Sequence, residues 1–287
     1  MANNFEVFER GSPNLTAAAS QVDEGKLKVH RNDDIKLWSS RFEEYFDREH
    51  ILPLVQPQNP LLADAAFVSR LRVFTLEKKS QILYAHAEYQ EENSDRLHQS
   101  SAQYVALCRS SKIPVVSHFC RLSHEDPPSY RTRETVELTA LMYSMIRQII
   151  EIMPPDLQNT TSTFNEDRFN ILDGTLRTWE EALDLFSDLV RHVNLPVLVF
   201  VIDRINVLEL GSDQNIDQKL RALINRLQLL QEPVTGHGQT YKMLLTTAGL
   251  SPSLCKMLET QEMVNIASTP SRRTNRPRRT LPPFTWE

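Results

Sequence analysis

Glycine is scarce in this 287-residue chain. There are seven, and none lies between Gly25 and Gly174, where an average protein carries roughly 7%. A glycine-rich loop is therefore excluded over that whole interval. Cysteine is scarcer still. Cys108, Cys120 and Cys255 form no close pair, which excludes a disulfide framework and suits a reducing compartment, cytoplasmic or nuclear. Long apolar runs are missing too: none approaches the roughly 18 residues of a membrane span. Met1–Ser20 is polar and lacks the apolar centre of a secretory signal. Positive charge is in deficit, with a net of −5. It is also unevenly spread, because residues 268–287 hold five arginines against one glutamate and the remainder carries −9. An acidic body argues against a general nucleic-acid binder.

What is present is ordinary globular material, 40% hydrophobic and 24% charged, enough to bury a core. Residues 1–30 are polar and aperiodic, a flexible lead-in. Residues 31–79 are expected to form a helical extension. Ile35, Trp38, Phe42, Tyr45 and Phe46 take helical spacing over 34–47, and a second helix follows over about 61–78. Between them, Ile51–Pro60 holds three prolines and must be extended.

From residue 80 the texture changes to strands alternating with helices, which predicts a parallel sheet. The strands are expected at 81–86, 114–122, 196–205, 241–247 and 263–267, and the helices at 94–109, 134–153, 217–231 and 252–258. Residues 156–177 read as a polar insertion. Thr178 and Glu181 fit a capping box that opens another helix. The segment after Pro196 is the clearest: six consecutive apolar residues, Val197–Ile202, run up to Asp203. A strand buried on both faces has this composition. In such sheets ligands sit beyond the carboxyl ends of the strands, which directs attention to the residues after His86, Ile202 and Thr246.

A phosphate-binding loop between strand and helix needs Gly-x-x-x-x-Gly-Lys-Ser/Thr, so that backbone N–H groups and a lysine meet the phosphates and a hydroxyl holds magnesium. Here that frame reads Ala87 to Ser94, with Ala87 and Glu92 for the glycines and Asn93 for the lysine. Only Ser94 survives, and a serine before a helix more often serves as its N-cap. Glu88, Glu91 and Glu92 add charge of the same sign as a polyphosphate. Asp203 stands where a magnesium-orienting aspartate is expected, but Asn206 and Val207 follow it and leave no general base. Asn93, Ser94 and Asp203 are therefore read as vestigial cofactor-binding positions, with no catalytic residue, no metal and no bound cofactor expected; ATP with magnesium is disfavoured.

The segments QILYAH, PVVSHFCRL, ETVELTALMYSMIRQII, LPVLVFVIDRINVLE and YKMLLTTAGLSPSL together resemble the NACHT/STAND class of signalling P-loop NTPases, abundant in filamentous fungi. The resemblance covers about residues 80–268. It implies an α/β fold with a five-stranded parallel P-loop NTPase-like sheet of order 5-1-4-3-2, flanked by helices. It also places Asn206 and Val207 where that class has Asp and Glu, and Ala248 where it has a sensor arginine. The expectation is a non-hydrolysing pseudo-NTPase that acts through a protein partner. In that reading Glu91 or Glu92 folds back onto the helix start in place of a phosphate. The rival is a weak ATPase using Asp203 and Ser94 with a lysine from elsewhere, Lys112 or Lys242.

His118, Cys120 and His124 with Cys108 suggest a metal site, but apolar neighbours favour a packed cysteine and a hydrogen-bonded histidine over zinc ligation. Arg272–Arg279, inside a disordered basic tail at 269–287, reads either as a nuclear-localisation or phosphate-binding patch or as a solvated tail.

Overall fold

Val197–Ile202 lies inside a sheet, as its composition requires. A computed structural model describes residues 32–53, 65–87, 91–127, 131–155, 164–211, 213–231 and 238–266. Five strands appear among them: β1 (Gln81–Ala87), β2 (Val115–Phe119), β3 (Val197–Asp203), β4 (Thr240–Ala248) and β5 (Met263–Ile266). Their order is β2-β3-β4-β1-β5, and every pairing is parallel. This is the expected 5-1-4-3-2 order read from the other edge. The chain has a P-loop NTPase-like α/β fold.

Strand side chains alternate between faces, and the core divides accordingly. Leu198, Phe200 and Ile202 of β3 join the larger apolar layer, whereas Val199 and Val201 join the smaller. Helices α3 (Ala65–Leu76) and α4 (Glu91–Ser110) cover the smaller layer. The larger layer is built on α5 (Arg133–Ile152), α7 (Trp179–His192) and α8 (Gln214–Leu229). Helix α5 explains its own depth: Leu138, Leu141, Met142, Met145, Ile146, Ile149 and Ile150 are all buried. Each such side chain stabilises by roughly 1.5–3 kcal/mol when fully removed from water. No described helix is long and apolar enough to cross a membrane.

The structure departs from the expected elements in four places. The single helix expected over 34–47 is broken into α1 (Asn32–Ser39), a 3-10 segment (Ser40–Tyr45) and α2 (Arg48–Ile51). The Ser39 and Ser40 hydroxyls donate to Lys36 O and Leu37 O, and such side-chain bonds compete with the helical ladder. The supposed polar insertion contributes to the core. It contains α6 (Glu166–Asn170), and Phe164, Phe169 and Leu172 are buried. The Thr178 capping box does not form. Its hydroxyl instead donates to Asp173 Oδ1, 3.1 Å away, and makes no cap bond. Finally, α4 begins at Glu91, three residues before Ser94, so Ser94 lies within the helix rather than capping it. Short helix α9 (Pro252–Met257) completes the elements, with Ser251 Oγ accepting from Leu254 N as its cap.

Candidate functional site

Asp203 ends β3 on the smaller face, the side covered by α4. It is 1% exposed, and both carboxylate oxygens are engaged. Nδ1–H of His98, on α4, donates to Oδ2 at 2.6 Å. The Thr246 hydroxyl of β4 donates to Oδ1. Thr246 is itself buried, with Ser101 Oγ of α4 beside it at 3.5 Å. Backbone bonding fixes the strand end, since Cys120 N donates to Asp203 O at 2.9 Å. A magnesium ligand must present an oxygen to the ion, and here each oxygen already accepts a hydrogen bond, one from α4 and one from β4, that an ion would have to displace or share.

The next two residues continue the closure. Arg204 adopts a left-handed conformation, φ 57°, and its guanidinium meets Asp95 Oδ1 of α4 at 2.8 Å. Asn206 bonds Ala248 in both directions. Its Nδ2 donates to Ala248 O at 2.8 Å, and its Oδ1 accepts from Ala248 N at 3.1 Å. An ionised carboxylate, which only accepts, could not do both. The two positions at which an acid and an arginine were expected are thus tied to one another. Glu209, the next acid, accepts from Ser253 N at 3.0 Å.

Of the three positions predicted from sequence, the structure brings Ser94 and Asp203 to the same end of the sheet, through α4 and β3. Asn93 belongs to the first turn of α4, but its side chain lies outside the described residues. So do those of Glu91 and Glu92, and with them the proposed fold-back. The two substitute lysines are misplaced. Lys112 follows the far end of α4, and a helix of that length spans about 30 Å. Lys242 is the third residue of β4, four residues before Thr246 and so about 13 Å along the strand. There it is buried, with its ammonium 5.2 Å from the centre of the Phe74 ring and 3.4 Å from Gln81 Oε1. His98, the residue that closes Asp203, was missed. Its available signal was position: one turn beyond Ser94, it shares the helix face that looks onto the strand ends.

The cysteine-histidine set does not assemble. Cys108 and Cys120 pack in different apolar layers, on opposite faces of the sheet. Burial pushes both thiols up, which makes them poor ligands and nucleophiles. His118 is hydrogen-bonded, as expected: its Nδ1 lies 2.7 Å from Ser144 Oγ and its Nε2 2.9 Å from Glu137 Oε1. The second oxygen, Glu137 Oε2, meets His50 Nε2 of α2 at 3.3 Å. Burial by itself would raise the Glu137 carboxyl. The hydrogen bonds from His118 and His50, and their charge, outweigh it and hold the group at about 2. Burial in turn holds His118 below the ordinary histidine range. The Arg272–Arg279 tail lies outside the described residues.

Comparison with known protein families finds no match, and comparison with curated proteins finds none. Among solved structures, the chain is similar to one in the structure of Drosophila ORC bound to AT-rich DNA and Cdc6. Identity is 12% and the TM-score 0.33 over 91% of this chain. The chain spans 36% of that one's length. At that TM-score the likeness lends no weight to any reading of function.

Proposed function

We propose that this chain is a degenerate relative of the NACHT/STAND signalling NTPases that neither binds nor hydrolyses nucleotide and works as a regulatory or protein-interaction module. The observation that carries the reading is Asp203, whose two oxygens are taken by His98 and Thr246. Freeing it for magnesium breaks a hydrogen bond to a charged group, which costs about 1.5–3 kcal/mol. The Asn206–Ala248 pair and the distant placement of Lys112 and Lys242 support the same reading. Free thiols at Cys108, Cys120 and Cys255 suit work inside the cell.

The test is thermal melting of the purified protein with and without millimolar Mg-ATP, Mg-ADP and Mg-GTP. A ligand present at about 100 times its Kd would stabilise by about 2.7 kcal/mol, a readily visible shift. The expected result is no shift with any of the three. A shift accompanied by magnesium-dependent phosphate release, lost in Asp203→Asn, overturns the reading in favour of a weak ATPase.

A further inference from the structure

Directly across the sheet from Asp203 lies a second polar cluster. His118 on β2 pairs in register with Ile202, and Phe119 with Asp203. His118 points into the larger layer, towards α5. There His50 Nε2, His118 Nε2 and the Glu137 carboxylate all lie within 4.8 Å of one another. All three residues are buried, at 9%, 0% and 4% exposure. We propose that they form a binding site for one zinc-like divalent ion, with the nucleotide-site reading playing no part in the inference.

Four features of the cluster support this. The donor set is two imidazoles and one carboxylate, which suits zinc, cobalt or iron and not calcium or magnesium. The spacing fits. Ligand atoms about 2.1 Å from a tetrahedral ion stand roughly 3.4 Å apart; here His118 Nε2 is 2.9 Å from Glu137 Oε1 and His50 Nε2 is 3.3 Å from Oε2, and one ligand atom from each of the three residues falls within 4.8 Å of the others. Each imidazole has an acceptor behind it, as ligating histidines do. His118 Nδ1 faces Ser144 Oγ, whose own proton goes to Leu141 O at 3.0 Å. His50 Nδ1 has Asp47 Oδ1 and the Asp47 backbone N–H both at 3.1 Å. In the helix cap it accepts from that N–H, and ion binding takes the other tautomer, whose Nδ1 proton faces Oδ1 and whose Nε2 lone pair turns to the ion. Asp47 is in turn ion-paired to Arg121, which also meets Glu49. Lastly, the site has a way in. His50 and Glu137 line a groove of about 700 Å³ together with Tyr45, Arg121 and His124, so a fourth coordination position is open to water.

The shape of the cluster also explains its orientation. Rings of His50 and His118 stack at 5.2 Å with planes 25° apart, so both Nε2 atoms address the same carboxylate. Arg121 N donates to Glu137 Oε1 at 3.1 Å, which holds that oxygen in place from the backbone.

The experiment uses the full chain, stripped with EDTA and then titrated with zinc and with cobalt(II). One equivalent of zinc is expected to bind and raise the melting temperature, while magnesium and calcium leave it unchanged. Cobalt(II) is expected to give the visible absorption of a four-coordinate nitrogen and oxygen site without a thiolate charge-transfer band. His50→Ala, at the solvent-facing edge of the cluster, is expected to fold and to lower zinc affinity at least tenfold; Glu137→Gln is the second variant and is expected to do the same. Failure of the stripped protein to bind zinc overturns the proposal. So does zinc binding that survives in both variants, or a thiolate band that assigns the ion to the cysteines.

Discussion

Two buried carboxylates lie on opposite faces of the sheet, Asp203 at the end of β3 and Glu137 on α5, and they are served differently. Asp203 receives one imidazole and one hydroxyl, and both of its oxygens are filled by donors from α4 and β4. Glu137 receives two imidazoles and a backbone N–H, and it borders a groove. An imidazole can satisfy a carboxylate with a proton or join it in holding a cation, and Asp203 has one such neighbour where Glu137 has two. The donors around Asp203 come from α4 and β4, whereas the two imidazoles beside Glu137 come from α2 and β2.

The largest effect is expected at Glu137. Glu137→Ala leaves the fully buried His118 Nε2 and the Arg121 N–H without their acceptor. Each buried donor left unsatisfied costs about 1–3 kcal/mol, and two are left here, a loss measurable as a lowered urea midpoint. If it costs no more than His98→Ala, the two carboxylates are equivalent and the comparison fails.

Acid should separate them next. Glu137 is held at about 2 against an ordinary 4.5. A depressed carboxyl contributes stability that is present above 4.5 and lost as pH falls towards 2, on the order of 3 kcal/mol. His118, held below its ordinary 6.5 by burial, adds loss in the same direction, because the folded state resists the proton that the unfolded chain accepts. The groups facing Glu137 are His50 from α2, His118 from β2, and Asp47 and Arg121 just beyond. In metal-free buffer, the stability advantage of the parent protein over Glu137→Gln should shrink as pH falls through that window. A constant difference would show that Glu137 is not depressed.

The contrast also marks what was legible in the sequence. β3 was readable because six apolar residues leave no alternative to a doubly buried strand, and Asp203 was readable as its end. Its partners were not: His98 and Thr246 are 105 and 43 residues away, and only the parallel sheet brings them together. Glu137 carried a signal that went unused, an acid beside Leu138 on the apolar stripe of α5, where an unpaired charge would not be tolerated. His50 carried none, since it lies 87 residues from Glu137. The segment 156–177 misled because its polar average hid Phe164, Phe169 and Leu172, three residues that anchor it.

A smaller effect is expected at His98. His98→Ala removes the imidazole donor from Asp203 Oδ2, but the His98 side chain is 26% exposed, so water can take its place. The cost should sit near the low end of a charge-assisted bond, about 1.5 kcal/mol, read as a lowered urea midpoint. Mg-ATP should still produce no melting shift in this variant, because the loop lacks its glycines and lysine. A shift would show that the imidazole alone keeps nucleotide out.

The smallest effect is the most discriminating. Asn206→Asp restores an acid at the position where the resembling family has one. In this molecule the amide is bonded both ways to Ala248. An ionised aspartate keeps the acceptor for Ala248 N but loses the donor to Ala248 O and turns a carboxylate oxygen towards that carbonyl. The cost should be about 1 kcal/mol, the net worth of one hydrogen bond, and it should appear as a lower melting temperature with no phosphate release. Gained hydrolysis would mean that the asparagine is the only block and that Asp203 can still reach an ion. Lost stability without hydrolysis would mean that the asparagine serves the fold, joining the end of β4 to the turn after β3.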